Sequence, residues 1–230
     1  MTFMAGHQAL LMRNNFTDSL SSFVRTLLHF DGGVANTGLG ADSFALGGGA
    51  VINTTPADVL TGSGSLDCVA STDANTAATG AGANLGTGDF CVECWFFDSN
   101  AGTKNQFLWL LQSTSTSQTV RVYGSASATL TADVSGGGPS APEVGYSLGA
   151  WQHCAVTRSG SNWTFWMNGA VGKTWTNATF DGGVASTNWW IGSGSSAGTG
   201  RQCRIDEFRV TVGNPRYTAP FTPSYPFPNP

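Results

Sequence analysis

Any chemistry in this chain must be built from few charged side chains: 14 Asp and Glu, 10 Lys and Arg, and 3 His among 230 residues. Glycoside hydrolysis needs two carboxyl groups roughly 5–10 Å apart, one of them held protonated. The glutamates are Glu93, Glu143 and Glu207. Asp206 and Glu207 are neighbours in an alternating segment, so a regular strand sends them to opposite faces. Glu93 meets Glu207 only if their strands are adjacent, and Arg209, two residues from Glu207, then makes an ion pair the simpler outcome. Catalysis is not expected. The Cys91-x-x-Cys94 spacing invites zinc, but no second such pair or close His pair accompanies it, and the two thiols face opposite ways on a strand, so no metal is expected. Asp31, Asp73, Asp89 and Asp181 sit in turn-rich stretches without the dense spacing of a calcium loop, and turn formation accounts for them. No Ser, His and Asp arrangement is read as a catalytic set. The N-x-[ST] sequons at Asn15, Asn53, Asn162 and Asn177 reflect only richness in Ser, Thr and Asn.

Recognition is better provided for than catalysis. The chain has 8 Trp, 14 Phe and 4 Tyr, and flat rings with polar edges suit stacking on sugar faces or on a partner's apolar patch. Period-2 alternation groups Val92, Cys94 and Phe96 on one face against Glu93, Trp95 and Phe97. It likewise sets Trp163, Phe165 and Met167 against Thr164 and Trp166, and Cys154 and Val156 against His153, Ala155 and Thr157. If the first-named sets fill the core, Trp95 and Trp166 point outward, with Trp190 beside Ile191. These three are the candidate ligand surface. The alternative is that loops or an N-terminal arm cover them. Trp151, Trp163 and Trp175 read as core or hairpin residues, and Trp109 and Trp189 stay open.

Short alternating segments, separated by Gly, Ser, Asn and Asp at intervals of about 8–12 residues, mark an all-β sandwich or barrel. The strands expected are 26–30, 49–53, 65–70, 90–97, 106–112, 119–123, 128–133, 151–158, 162–167, 189–192 and 204–212. Asn168-Gly169 between two runs is a hairpin turn, with 170–175 as its second arm. Phe30-Asp31-Gly32-Gly33-Val34-Ala35 recurs as Phe180-Asp181-Gly182-Gly183-Val184-Ala185; without matching flanks this is two similar turns, not a repeat.

Three divisions follow: an arm over 1–25, a sandwich over 26–213 and a tail over 214–230. In the arm, Leu10, Leu11, Phe16 and Leu20 are candidate docking residues, and Thr17, Asp18 and Ser19 are candidate N-caps for a short helix. The tail carries Pro215, Pro220, Pro223, Pro226, Pro228 and Pro230, so it cannot extend a ladder and should run extended over the domain. A net charge of -4 with scattered Lys and Arg excludes nucleic acid as partner. No apolar run approaches the roughly 20 residues of a membrane span. Residues 1–22 lack the layout of a secretory leader, so a cytoplasmic start is expected. Five Cys, an odd number, give no reason to read a disulfide framework.

Gly86-Thr87-Gly88-Asp89-Phe90 leading into Val92-Glu93-Cys94-Trp95-Phe96 is similar to a "GTGDFTIEFWV" strand. Trp151-Gln152-His153-Cys154-Ala155-Val156-Thr157-Arg158, followed by Thr164-Phe165-Trp166-Met167-Asn168-Gly169, resembles "WHHVAVTR…LYVNG". Ile191-Gly192, followed by Ile205-Asp206-Glu207-Phe208-Arg209-Val210, resembles "IGG…GYIDEFRI". These are patterns of the concanavalin A-like sandwich in its laminin-G and pentraxin-like branch. Leu27-Leu28-His29-Phe30-Asp31-Gly32 and the stretch from Asn214 to Pro223 further resemble the opening and ending of bacteriophage virion proteins of that branch.

The resemblance implies an antiparallel two-sheet jelly roll. It further implies a non-enzymatic virion protein, a head decoration, head fibre or tail fibre, that displays a lectin-like domain for adhesion to host cell-surface glycans. Its partners would be capsid or tail proteins and further copies of itself, and it would be assembled in the host cytoplasm. A lectin module outside a virion is the alternative. A glycan hydrolase is a third reading, weakened because the E-x-D-x-x-E strand of the hydrolases with this fold is missing. Some laminin-G relatives bind calcium. Cys94 and Cys154 take positions that are apolar in the family and read as buried hydrophobes, and His153 takes the family's histidine position, to which no catalytic role attaches.

Overall fold

The computed structural model describes residues 18–68, 77–99, 106–113, 116–124, 127–134, 143–183, 187–194 and 203–230. Two antiparallel sheets, with strands numbered in chain order, form a sandwich. The eight-stranded sheet runs β13 (Ala170–Thr176), β12 (Asn162–Met167), β11 (Trp151–Ser159), β6 (Phe90–Phe97), β15 (Arg204–Val212), β4 (Ser65–Asp67) and β3 (Val51–Asn53), with β1 (Val24–Leu28) also paired to β15. The seven-stranded sheet runs β10 (Val144–Gly145), β9 (Thr129–Val134), β8 (Thr119–Gly124), β7 (Gln106–Ser113), β14 (Thr187–Ile191), β5 (Ala77–Gly82) and β2 (Ser43–Gly47). Helix among the described residues is confined to single turns at Ser21–Phe23 and Pro56–Asp58.

Alternation decides the core. Val92, Cys94 and Phe96 meet Cys154, Val156, Trp163 and Phe165 between the sheets, as the faces predict. Trp109 and Trp189 join them from the seven-stranded sheet, fully buried, with ring centroids 6.2 Å apart. Trp163 stacks on Trp175 at 5.7 Å. Trp151 lies outside this core, half-buried beside Phe97. Phe30 and Phe180, which open the two similar phrases, both anchor in the core. The Asn168-Gly169 turn has φ of 51° and 79°, the left-handed pair that matches strand twist in a tight hairpin.

Two irregularities alter what alternation predicts. A bulge lies between Asp206 and Arg209, where Glu207 takes φ 54°. The added residue lets Asp206 and Glu207 both face outward while Phe208 stays in the core. The expectation that these carboxylates oppose each other is therefore corrected. A second bulge, between Phe107 and Trp109, sends Leu108 and Trp109 inward and leaves Phe107 and Leu110 outside the core. At the amino end, Val24 is already fully buried in β1, so the sheet takes up residues assigned above to the arm.

Candidate functional site

The outer face of the eight-stranded sheet carries a buried charge network. Glu93 on β6 is fully buried and lies opposite Arg209 on β15. Arg209 donates to Glu93 Oε1 from Nε at 2.9 Å and from Nη2 at 2.8 Å. His153 Nε2 lies 3.1 Å from Glu93 Oε2, and the Tyr217 hydroxyl donates to the same oxygen at 2.8 Å. Burial alone would raise the Glu93 pKa. Arg209, with His153 and Arg216, overrides it and holds this carboxyl well below the usual carboxylate range. Burial and the Glu93 charge push the Tyr217 hydroxyl up, keeping it a donor. Asp18 closes the network: its carboxylate binds Arg216 and approaches Arg209 Nη1 at 3.5 Å. The expected Glu93–Arg209 pair is thus present, and Glu93 is neither free nor protonated.

The tail covers this face. From β15 it runs out to the β12–β13 turn, where Phe221 N donates to Gly169 O at 3.0 Å. It then returns across Trp95, whose ring lies 5.1 Å from that of Tyr225. Phe227 N donates to Glu207 Oε2 at 2.6 Å, and the Phe227 ring packs 3.9 Å from the Arg209 guanidinium. His29 joins Glu207 at 2.7 Å to Asn229 at 3.0 Å. Burial opposes a charge on His29, but the Glu207 carboxylate outweighs it and raises the pKa.

Trp166 points away from the core, as predicted, but lies under Tyr217 and Phe221, is 2% exposed, and donates Nε1 to Thr157 Oγ1 at 2.9 Å. Trp95 is half-buried under Tyr225, with Nε1 on Ser224 O. In this arrangement neither ring is open for stacking. What stays open here is a cleft of about 570 Å³ between tail and sheet, walled by Asp18, Arg216, Phe221 and Tyr225.

Trp190 lies on the other sheet, so the three tryptophans do not form one surface. On the outer face of the seven-stranded sheet Trp190 heads a register row: Trp190 opposite Leu110, Leu110 opposite Arg121, Arg121 opposite Asp133. The next row is Phe107, Tyr123 and Thr131, and the row on the other side is Asn188, Gln112 and Thr119. Arg121 donates Nε to Asp133 Oδ2 at 3.1 Å, and its guanidinium lies 5.7 Å from the Phe107 ring centroid and 5.3 Å from that of Tyr123. Leu110 belongs to this outer row yet is 4% exposed, covered by its neighbours. Neither Arg121 nor Asp133 was singled out by sequence. The V-R-V-Y alternation of β8 places Arg121 and Tyr123 on one face, but bringing Phe107 alongside them depends on the bulge.

The remaining candidate residues are held in local structure. Leu20 is half-buried and donates its amide to Asp18 Oδ1 at 2.9 Å, just before the Ser21–Phe23 turn. Leu10, Leu11 and Phe16 lie outside the described residues, as does Asp73. Asp31 accepts the amides of Ser63 and Gly64, Asp89 that of Gly160, and Asp181 that of Gly183. Asp206 accepts from Leu60 N and Thr61 N at 3.2 and 3.3 Å. No cluster of three metal-ligating side chains occurs among the described residues. All five thiols are buried and free; Cys94 and Cys154 lie in the core with sulfurs 3.7 Å apart.

Residues 71–212 match the family described as the concanavalin A-like lectin/glucanases superfamily. No curated protein matches the sequence. Among solved structures, the binding domain of botulinum neurotoxin serotype D/C VPI 5993 aligns with TM-score 0.58 at 11% identity, over 84% of this chain and 49% of that one. The binding domain of Paraclostridial Mosquitocidal Protein 1 aligns with TM-score 0.56 at 13% identity, over 84% and 49%. A Trypanosoma rangeli sialidase aligns with TM-score 0.57 at 11% identity, over 83% and 30%. The chain spans about half or less of each of these proteins, and likeness at such identity is one of fold.

Proposed function

We propose, for a chain that belongs to the concanavalin A-like lectin/glucanases superfamily, that it binds glycans without cleaving them and is displayed on a bacteriophage particle. The observation that carries the binding reading is the row Trp190, Leu110, Arg121 and Asp133, flanked by Phe107 and Tyr123. Rings offer faces to the C–H side of a sugar, and the paired Arg and Asp with the amides of Asn188 and Gln112 offer donors and acceptors to its hydroxyls. Two similar folds support it by what they do: one is a toxin binding domain, and another neurotoxin of that kind enters cells through two ganglioside molecules.

The carboxylates argue for binding over hydrolysis. Glu93 is ionised and locked by Arg209, Glu207 is taken by His29 and Phe227 N, its neighbour Asp206 is held by the amides of Leu60 and Thr61, and Glu143 accepts from Thr129 Oγ1. The opening from Leu27 and the ending from Asn214, which resemble phage virion proteins, support placement on a head or tail. Capsid or tail proteins are then the partners, with the arm as docking segment. Repeated copies in a homo-oligomer let weak contacts act together.

The test of binding is a glycan array probed with the full chain and with Trp190→Ala. Sugar binding weakened at least about tenfold by the substitution supports the site, and a fully active variant refutes it. Gold-labelled antibody on purified particles tests the placement. Label on head or tail is expected, and unlabelled intact particles would leave a free lectin module.

A further inference from the structure

We propose that the cleft between the tail and the eight-stranded sheet is a second saccharide site, one that seats a sugar hydroxyl between Asp18 and Arg209. It lies on the opposite sheet from Trp190 and stands on its own residues. Its volume of about 570 Å³ falls among small-ligand sites, which run from roughly 300 to 1,000 Å³. The charged groups in its wall are largely spent: Asp18 binds Arg216, and Arg209 gives Nε and Nη2 to Glu93 Oε1. Arg209 Nη1 is different. It belongs to a side chain 4% exposed and meets Asp18 Oδ2 at 3.5 Å, beyond the 2.7–3.2 Å of an N–H···O bond. An oxygen placed between the two can accept from Nη1 and donate to Oδ2 at once, as a hydroxyl does. A ligand carboxylate only accepts, and would set its charge against Asp18. Burial opposes ionisation of Asp18, but the hydrogen bond from Arg216 outweighs it and lowers the pKa, so the acceptor keeps its charge.

The rest of the cleft supplies what a sugar ring uses. Phe221, Tyr225, Pro226 and Pro228 line it with apolar surface. Tyr225 is 51% exposed although its ring meets that of Trp95 edge-on, which leaves aromatic surface for the C–H side of a sugar. Ser19, Thr222 and Ser224 also line it, and their hydroxyls make no hydrogen bond among the described residues. A ligand rich in hydroxyls can satisfy them in both directions.

The experiment titrates the full chain, residues 1–17 included, with galactose, mannose, lactose and maltose by calorimetry, and follows tryptophan fluorescence, since Trp95 lies under Tyr225 at the cleft. At least one of these sugars should bind and shift the emission. Tyr225→Ala removes a wall and Thr222→Trp fills the space; each should weaken that binding about tenfold or more, with far-UV circular dichroism reporting the fold, while Trp190→Ala should leave it measurable. Binding that vanishes in folded Trp190→Ala overturns the inference and leaves the function proposed above standing. Binding unmoved by both folded cleft variants overturns it too. Glucuronate and N-acetylneuraminate test the ligand class: tighter binding of either than of the neutral sugars, lost in the cleft variants, would make this an anion site and refute the hydroxyl assignment. A folded chain that binds none of the four sugars also overturns the inference, and the array with Trp190→Ala then decides the glycan reading separately.

Discussion

Replacing Glu93 by Gln tests whether the buried network fastens the fold or merely decorates it. Glu93 is fully buried and accepts from Arg209, His153 and Tyr217. Gln keeps the shape and one acceptor but removes the charge, leaving the Arg209 guanidinium, 4% exposed, with only Asp18 at 3.5 Å for compensation. Removing one partner of a buried pair costs about 3–5 kcal/mol. The retained acceptor places this case near the lower end, about 3 kcal/mol. In a domain of this size that lowers Tm by roughly 6–12 °C. Thermal and urea unfolding followed by tryptophan fluorescence measure it.

The pH dependence of the same comparison is a second check. The folded pKa of Glu93 is depressed, so its stabilisation is full above the unfolded value of about 4.3 and is lost as pH falls through the folded value. The gap between native chain and variant should therefore hold constant from pH 7 to about 5 and close in stronger acid. A double-mutant cycle with Arg209→Met should return a coupling of about 0.5–3 kcal/mol. A cost below about 1 kcal/mol, or a gap that does not close in acid, would refute the reasoning.

Gly169→Ala puts a side chain at φ 79° with its Cβ 1.8 Å from Phe221 O; it should cost about 1–3 kcal/mol and lift the tail, seen as faster chymotryptic cleavage after Tyr217 and Phe221. Burial, with the neighbouring Glu207 carboxylate, pushes Asp206 up to about 8. The folded chain then holds a proton that the unfolded chain releases near about 3.9, so stability should fall as pH rises from about 4 to about 8. Asp206→Asn should flatten that slope in urea titrations at several pH values. The five buried thiols should resist a thiol reagent in the native chain and all react in denaturant, and fast native labelling would contradict their burial.

Strands with strong side-chain signals were readable from sequence to the residue. Phe90–Phe97, Asn162–Met167 and Arg204–Val212 fall at the expected bounds, because alternation of large apolar and polar groups leaves one register that buries the right face. Ser43–Gly47 and Ala77–Gly82 were missed: Ala77–Gly82 is built of Ala, Thr and Gly with no apolar face to count, and Ser43–Gly47 offers only Phe44 and Leu46. They are strands because β14 supplies the partner backbone for β5, and β5 in turn for β2.

The site was readable in part for a related reason. That Trp95, Trp166 and Trp190 point away from the core follows from period 2. Which sheet each belongs to, and that a proline-rich segment more than forty residues further on covers two of them, does not. The aromatic spacing Tyr217-x-x-x-Phe221 in the tail is the signal for that cover, since both rings must lie against something apolar. Bulges are equally silent in sequence, and one of them turned Asp206 and Glu207 to the same side.

Asp18 and Arg216 bring the entry and exit of the sandwich to one point, where Val24 of β1 stands opposite Thr211 of β15. Tension applied through the two ends of the chain therefore runs through the eight-stranded sheet and leaves the seven-stranded one unloaded. Starting from the carboxyl end, it meets the Phe227 and Asn229 contacts, then Phe221, then the Asp18 clasp, and only afterwards the β1–β15 ladder. That ladder opens from its end, one rung at a time. Such a load is released by peeling in the eight-stranded sheet, on the side away from Trp190.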